Sequence, residues 1–128
     1  MRQTALVAAE LAPVEALLTE VFGIRVCYRD PGVAYFGLEN ALFPIGNQLL
    51  EVVAPTEPGT AGGRYLERRG GDGGYMVITQ CLGDHDAYRA RVDAQGVRIA
   101  HEFTTDGFRN MQLHPKDTGG TFFEIDQQ

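Results

Sequence analysis

A chain of 128 residues is long enough to bury one core and too short for two domains of ordinary size. With 44% hydrophobic and 22% charged residues it has the make-up of a folded globule, and a formal net charge of −6 with an isoelectric point near 4.9 argues against nucleic acid as a partner, which needs clustered Lys and Arg. There is no run of 18 apolar residues, and no charged start followed by a long apolar stretch and a cleavage site, so the expectation is a cytoplasmic protein that does not span a membrane.

Residues 3–9 read as a strand. Residues 12–22 place Val14, Leu17, Leu18 and Val21 at helical spacing, with Pro13 near the start and Gly23 just past the end. Asp30-Pro31-Gly32 is a turn. VAYFGLE, ALFPI and QLLEVVA follow as extended pieces, the last two joined by Gly46-Asn47, a pair that suits a tight hairpin. From Pro55 to Gly63 the composition changes to that of a connector, and RYLERRG reads as a short charged helix. The glycine cluster 70–74 follows a helix and opens a strand. That is the reverse of a phosphate-binding loop, so a hinge is the reading. Arg64, Arg68 and Arg69 make a small basic spot that fits a solvated helix face.

The strand YMVITQ comes next, then a helix from an N-cap at Asp84 to a stop at Gly96. VRIAHEFTT, FRNMQLH and TFFEID close the chain as strands, with Asp106-Gly107 and Thr118-Gly119-Gly120 as turns. Cys27 and Cys81 lack the close spacing of a redox or zinc motif and read as reduced, packed thiols.

The order strand, helix, three strands occurs twice, and the two halves keep one register. VFGIRV lies over AQGVRI, with Gly23 on Gly96, and LLEV lies over FFEI, with Glu51 on Glu124, each pair 73 residues apart. The expected fold is therefore α+β: two tandem βαβββ modules, 1–54 and 74–128, joined by a connector over 55–73. A curved mixed sheet would surround a pocket, with the helices outside. Strand alternation puts Glu51 on a face with Leu49 and Val53, and Glu124 on one with Phe122 and Asp126. The same shift pairs Gln3 with Met76.

PIGNQLLEVVAP, GRYLERRGGDGG and LHPKDTGGTFFEID are the segments that carry a family likeness. The chain resembles the vicinal oxygen chelate superfamily, which includes glyoxalase I, bleomycin-resistance proteins, extradiol dioxygenases and methylmalonyl-CoA epimerase, and it is most similar to the epimerase-like branch. The resemblance implies a homodimer and four metal-ligand positions, occupied here by Gln3, Glu51, Met76 and Glu124. Glu51 and Glu124 match the family pattern. Gln3 and Tyr75-Met76 stand where histidines are usual, and a thioether is a soft donor ill suited to a hard cation. His85, His101 and His114 read as solvated or core residues rather than replacements.

Glu51 and Glu124 are thus the candidate catalytic carboxylates, and close together in an apolar cup they would titrate as a coupled unit. Gln3, Leu49, Met76, Ile78 and Phe122 are the candidate ligand-binding residues. No cofactor is the first reading, and a weak divalent metal site of Gln3, Glu51 and Glu124 is its alternative. In function the chain reads as a glyoxalase-like protein that has lost a working metal site and binds a small organic metabolite. The alternative is an epimerase, isomerase or lyase acting α to a carbonyl, possibly on an acyl thioester.

Overall fold

A computed structural model describes all residues from Met1 to Gln128. The chain divides into two compact units, Gln3–Tyr75 and Met76–Gln128, the latter together with Met1–Arg2. No helix is long and apolar enough to cross a membrane.

The first unit contains β1 (Gln3–Val7), α1 (Leu11–Phe22), a 3-10 turn (Pro31–Phe36), β2 (Leu38–Ile45), β3 (Gln48–Pro55) and α2 (Ala61–Arg69). Its strands lie in the order β2-β3-β1, with β1 parallel and β2 antiparallel to β3. Ala41, Phe43, Val52 and Ala54 face α1 and bury Leu11 and Leu18 with them, which makes one hydrophobic core. The helical stripe is turned from its expected position: Leu11, Val14 and Leu18 pack inward, whereas Leu17 and Val21 stand exposed. A helix lying on a sheet buries a single stripe, and α1 carries more apolar residues than that stripe holds.

VAYFGLE does not form a strand of its own: only its last two residues, Leu38 and Glu39, are extended, and they open β2. Pro31 and the Asp30 cap, whose carboxylate accepts from the Gly32 N–H at 2.8 Å, wind residues 31–36 into the 3-10 turn. Ahead of that turn, Tyr28 makes a single bridge to Leu42. The Gly46-Asn47 hairpin is as the sequence predicts, with Ile45 opposite Gln48 and Gly46 at φ 58°.

α2 begins earlier than its charged part, because Thr60 caps it by accepting from the Gly63 N–H at 3.0 Å. The glycine cluster after it is an ordered helix end rather than a hinge. Gly70 and Gly71 return their N–H groups to Leu66, and the Asp72 carboxylate accepts from the Ala9 N–H at 2.9 Å.

In the second unit β4 (Gly73–Gln80, its first three residues belonging to the first unit), α3 (His85–Ala94), β5 (Ile99–Thr105), β6 (Phe108–Leu113) and β7 (Phe122–Gln127) are ordered β4-β7-β6-β5. β4 and β7 are parallel, and the other two pairings are antiparallel. Val92 of α3 packs with Met111 and Leu113, joined by Phe123 and Ile125. The 73-residue register holds in the strands themselves: Gln3 pairs with Leu49 as Met76 does with Phe122, and Ala5 with Glu51 as Ile78 does with Glu124. Neither cysteine forms a disulfide, and only Cys81 is packed; Cys27 is exposed.

Phe43 is fully buried at the centre of the first core, so Phe43→Ala is expected to cost about 3–5 kcal/mol. Leu82→Ser, at a position that is 98% exposed, should stay within about 0.5 kcal/mol of the parent. Urea unfolding of the two variants checks both values.

Candidate functional site

In the first unit β3 sends Leu50, Val52 and Ala54 toward α1, so Leu49, Glu51 and Val53 occupy the opposite face. Gln3 lies beside Leu49 and Ala5 beside Glu51 in the parallel pairing, which puts Gln3 on that face as well. Glu51 is only 7% exposed. It accepts from the Asn40 Nδ2 at 2.7 Å and from the Gln3 side chain. Burial raises its pKa above the ordinary 4.5, the two amide donors pull it back, and Asp30 adds repulsion.

Asn40 has a fixed orientation. Its Oδ1 accepts from the Asp30 N–H at 2.9 Å, so its nitrogen is the end turned to Glu51. Tyr75 stacks edge-on against Tyr65, with ring centres 5.1 Å apart, and its phenol is pushed up to about 12, first by burial and then by Tyr65 and Glu51.

The second unit repeats the frame with other partners. Phe123 and Ile125 face α3, while Phe122, Glu124 and Asp126 share the other side. Gln112, directly opposite Glu124, donates to its Oε2 at 2.7 Å. Asp126 is 3% exposed, is paired through Oδ2 with Arg2 at 3.3 Å, and has Oδ1 buried without a partner. Burial raises the Asp126 carboxyl, against the pull of a hydrogen bond with Glu124 and the charges of Arg2 and His85. Met76 and Ile78 follow the Glu124 face through their pairing with Phe122 and Glu124.

Among the histidines, His85 is buried, with Nε2 3.3 Å from the Ile125 carbonyl oxygen. His114 caps the 3-10 turn Pro115–Asp117. The strand register slips between Ile99, which pairs with Leu113, and His101, which pairs with Gln112. That irregularity turns His101 to the Glu124 face.

The predicted residues are therefore grouped by unit: Gln3, Leu49 and Glu51 on one face of the first, and Met76, Ile78, Phe122 and Glu124 on one face of the second. Asn40, Gln112, Asp126 and His101 were not among them. Open grooves lie elsewhere, one along α1 beside Arg29 and one at the β5–β6 turn, and none of the predicted residues lines either.

The resemblance gives four positions to metal ligands, and two of them carry Gln3 and Met76. Gln3 turns a donor to Glu51, Met76 offers a thioether, and no three His, Cys, Asp or Glu side chains gather where an ion could sit.

The family model for the Glyoxalase/Bleomycin resistance protein/Dioxygenase superfamily matches residues 1–125. No curated protein matches the chain. Among solved structures, a Streptomyces coelicolor methylmalonyl-CoA epimerase variant in complex with 2-nitronate-propionyl-CoA is similar at 22% identity and a TM-score of 0.80, over 98% of this chain and 92% of that one. The Mycobacterium tuberculosis methylmalonyl-CoA epimerase is similar at 22% identity and a TM-score of 0.78, over 98% and 85%. A hypothetical protein from Bacillus halodurans C-125 reaches a TM-score of 0.83 at 14% identity, over 100% and 93%.

A carboxyl group whose folded pKa is raised binds its proton more tightly in the native state. Its contribution is most favourable below the ordinary value and is lost as pH rises through the folded one. Glu51→Gln is therefore expected to gain stability relative to the parent on going from pH 4 to pH 8. Denaturant midpoints across that range check the sign.

Proposed function

Because the chain belongs to the Glyoxalase/Bleomycin resistance protein/Dioxygenase superfamily, we propose that it binds a small organic metabolite without a divalent metal, with Glu51 as the polar group that orients the ligand. The observation that supports this most is the state of Glu51, buried and already held by two amide donors on a face it shares with Ala5, Leu49 and Val53. An apolar surface with one fixed acceptor suits a largely apolar molecule that presents a single N–H or O–H. The residues proposed for ligand contact are Gln3, Leu49 and Glu51 in the first unit and Met76, Ile78, Phe122 and Glu124 in the second.

A second reading is an epimerase, isomerase or lyase acting α to a carbonyl. Burial moves the Glu51 carboxyl upward, the direction a general base needs in order to work near neutral pH. In that reaction the α-proton passes from substrate carbon to the Glu51 carboxylate, the electron pair delocalises onto the carbonyl oxygen, and reprotonation of the resulting enolate gives product. The likeness to the epimerases suggests an acyl thioester as the substrate class. The homodimer implied by the family resemblance belongs to the same proposal, and light scattering would find twice the chain mass of 14.0 kDa.

Calorimetric titration of chelator-treated protein with manganese, cobalt, nickel and zinc tests the metal-free reading. No saturable heat is expected; binding that Glu51→Gln weakens would overturn it. Titration of the same protein with 2-nitronate-propionyl-CoA, and NMR of methylmalonyl-CoA in deuterated water, separate the two readings. Loss of the α-proton signal that falls by about 100-fold or more in Glu51→Gln would make the enzyme reading the leading one.

A further inference from the structure

Asn40 sits on β2, two residues along from Leu42, which lies directly across from Glu51. It reaches Glu51 diagonally and is 3% exposed. Three features distinguish it from an incidental buried amide. Its oxygen is taken by the Asp30 N–H, so the amide cannot flip without losing that bond and turning an acceptor toward a carboxylate. Its backbone oxygen accepts from Arg29 Nη1 at 3.3 Å, and Arg29 is itself anchored by Glu15 of α1 at 2.6 Å. Its bond to Glu51 engages Oε2 alone.

We infer that Asn40 is a positioning residue, which together with Gln3 holds Glu51 in one rotamer and so fixes the direction in which its carboxylate meets a ligand. The chain of contacts begins in α1 at Glu15, passes through Arg29 and Asp30, and ends at Glu51. The segment between α1 and β2 thereby sets where the carboxylate points. An exposed glutamate samples several rotamers, and a buried carboxylate held by amide donors keeps one direction. A donor fixed in this way resembles the outer partners that orient functional side chains in preorganised sites. The importance of this orientation for binding rests on the reading of Glu51 as the ligand anchor; the orientation itself does not.

NMR of the full chain without ligand tests the inference, so it is decided even where 2-nitronate-propionyl-CoA fails to bind. In the parent, Asn40 side-chain amide protons should exchange slowly, and the Glu51 side-chain couplings should report one rotamer. In Glu51→Ala the Asn40 amide protons should exchange at least ~10-fold faster, while the Asp30 N–H stays protected. In Asn40→Ala and Asn40→Ser the Glu51 couplings should average over rotamers with the backbone spectrum otherwise retained. A single Glu51 rotamer in the two Asn40 variants would overturn the proposal. If neither variant folds, the parent and Glu51→Ala decide: Asn40 protons that exchange as freely as those of an exposed asparagine, or that ignore the loss of Glu51, also overturn it.

Discussion

Each unit depends on one constraint, the parallel pairing of its first strand with its last, β1 with β3 and β4 with β7. Parallel neighbours cannot be joined by a tight turn, so the chain must leave the sheet and cross over. In both units a helix begins that excursion and covers one face of the strands. The other face is the one on which a carboxylate can stand outside the helix-packed core. Register then matters absolutely: a slip of one residue would turn Glu51 into the α1 core and bring Val52, which is fully buried there, out of it.

That frame was legible in the sequence because it is written in periodicity and repetition. The offset between Gly23 and Gly96 and between Glu51 and Glu124 reappears as the pairing of Gln3 with Leu49 and Met76 with Phe122. Glycine pairs at hairpins and the Asp84 cap could be read locally, since turn and cap chemistry needs only a few neighbouring residues. The extended piece expected over VAYFGLE was misread in this way. Residues 31–36 are wound into a 3-10 turn by Pro31 and the Asp30 cap, and the segment is tied down by Arg29 reaching Asn40 and Glu15, which are contacts at a distance.

The carboxylates were legible for the same reason as the frame, and their partners were not. Asn40 fell between two supposed strands, and the joining of Leu38 and Glu39 to ALFPI in β2 brings it into reach of Glu51. Gln112 and Asn110 alternate with the buried Met111 and Leu113, and that polar alternation was the available signal for a functional face on β6. His101 required more than alternation. The irregularity between Ile99 and His101 breaks the period of two on which any such reading relies.

The comparison of the two units shows where chemical identity resides. Glu51 and Glu124 occupy equivalent positions on equivalent strands and are equally buried, yet Glu51 is met by amides from Asn40 and Gln3, and Glu124 by the amide of Gln112 and the carboxyl of Asp126. Burying a carboxylate is costly, and the cost is offset only by the donors that reach it. At Glu51 the amide donors pull the pKa back against burial, whereas the Asp126 carboxyl is raised by burial against the pull of Glu124, Arg2 and His85. The repeat therefore fixes where each acid stands, and the residues outside it, Asn40 above all, fix what that acid can do.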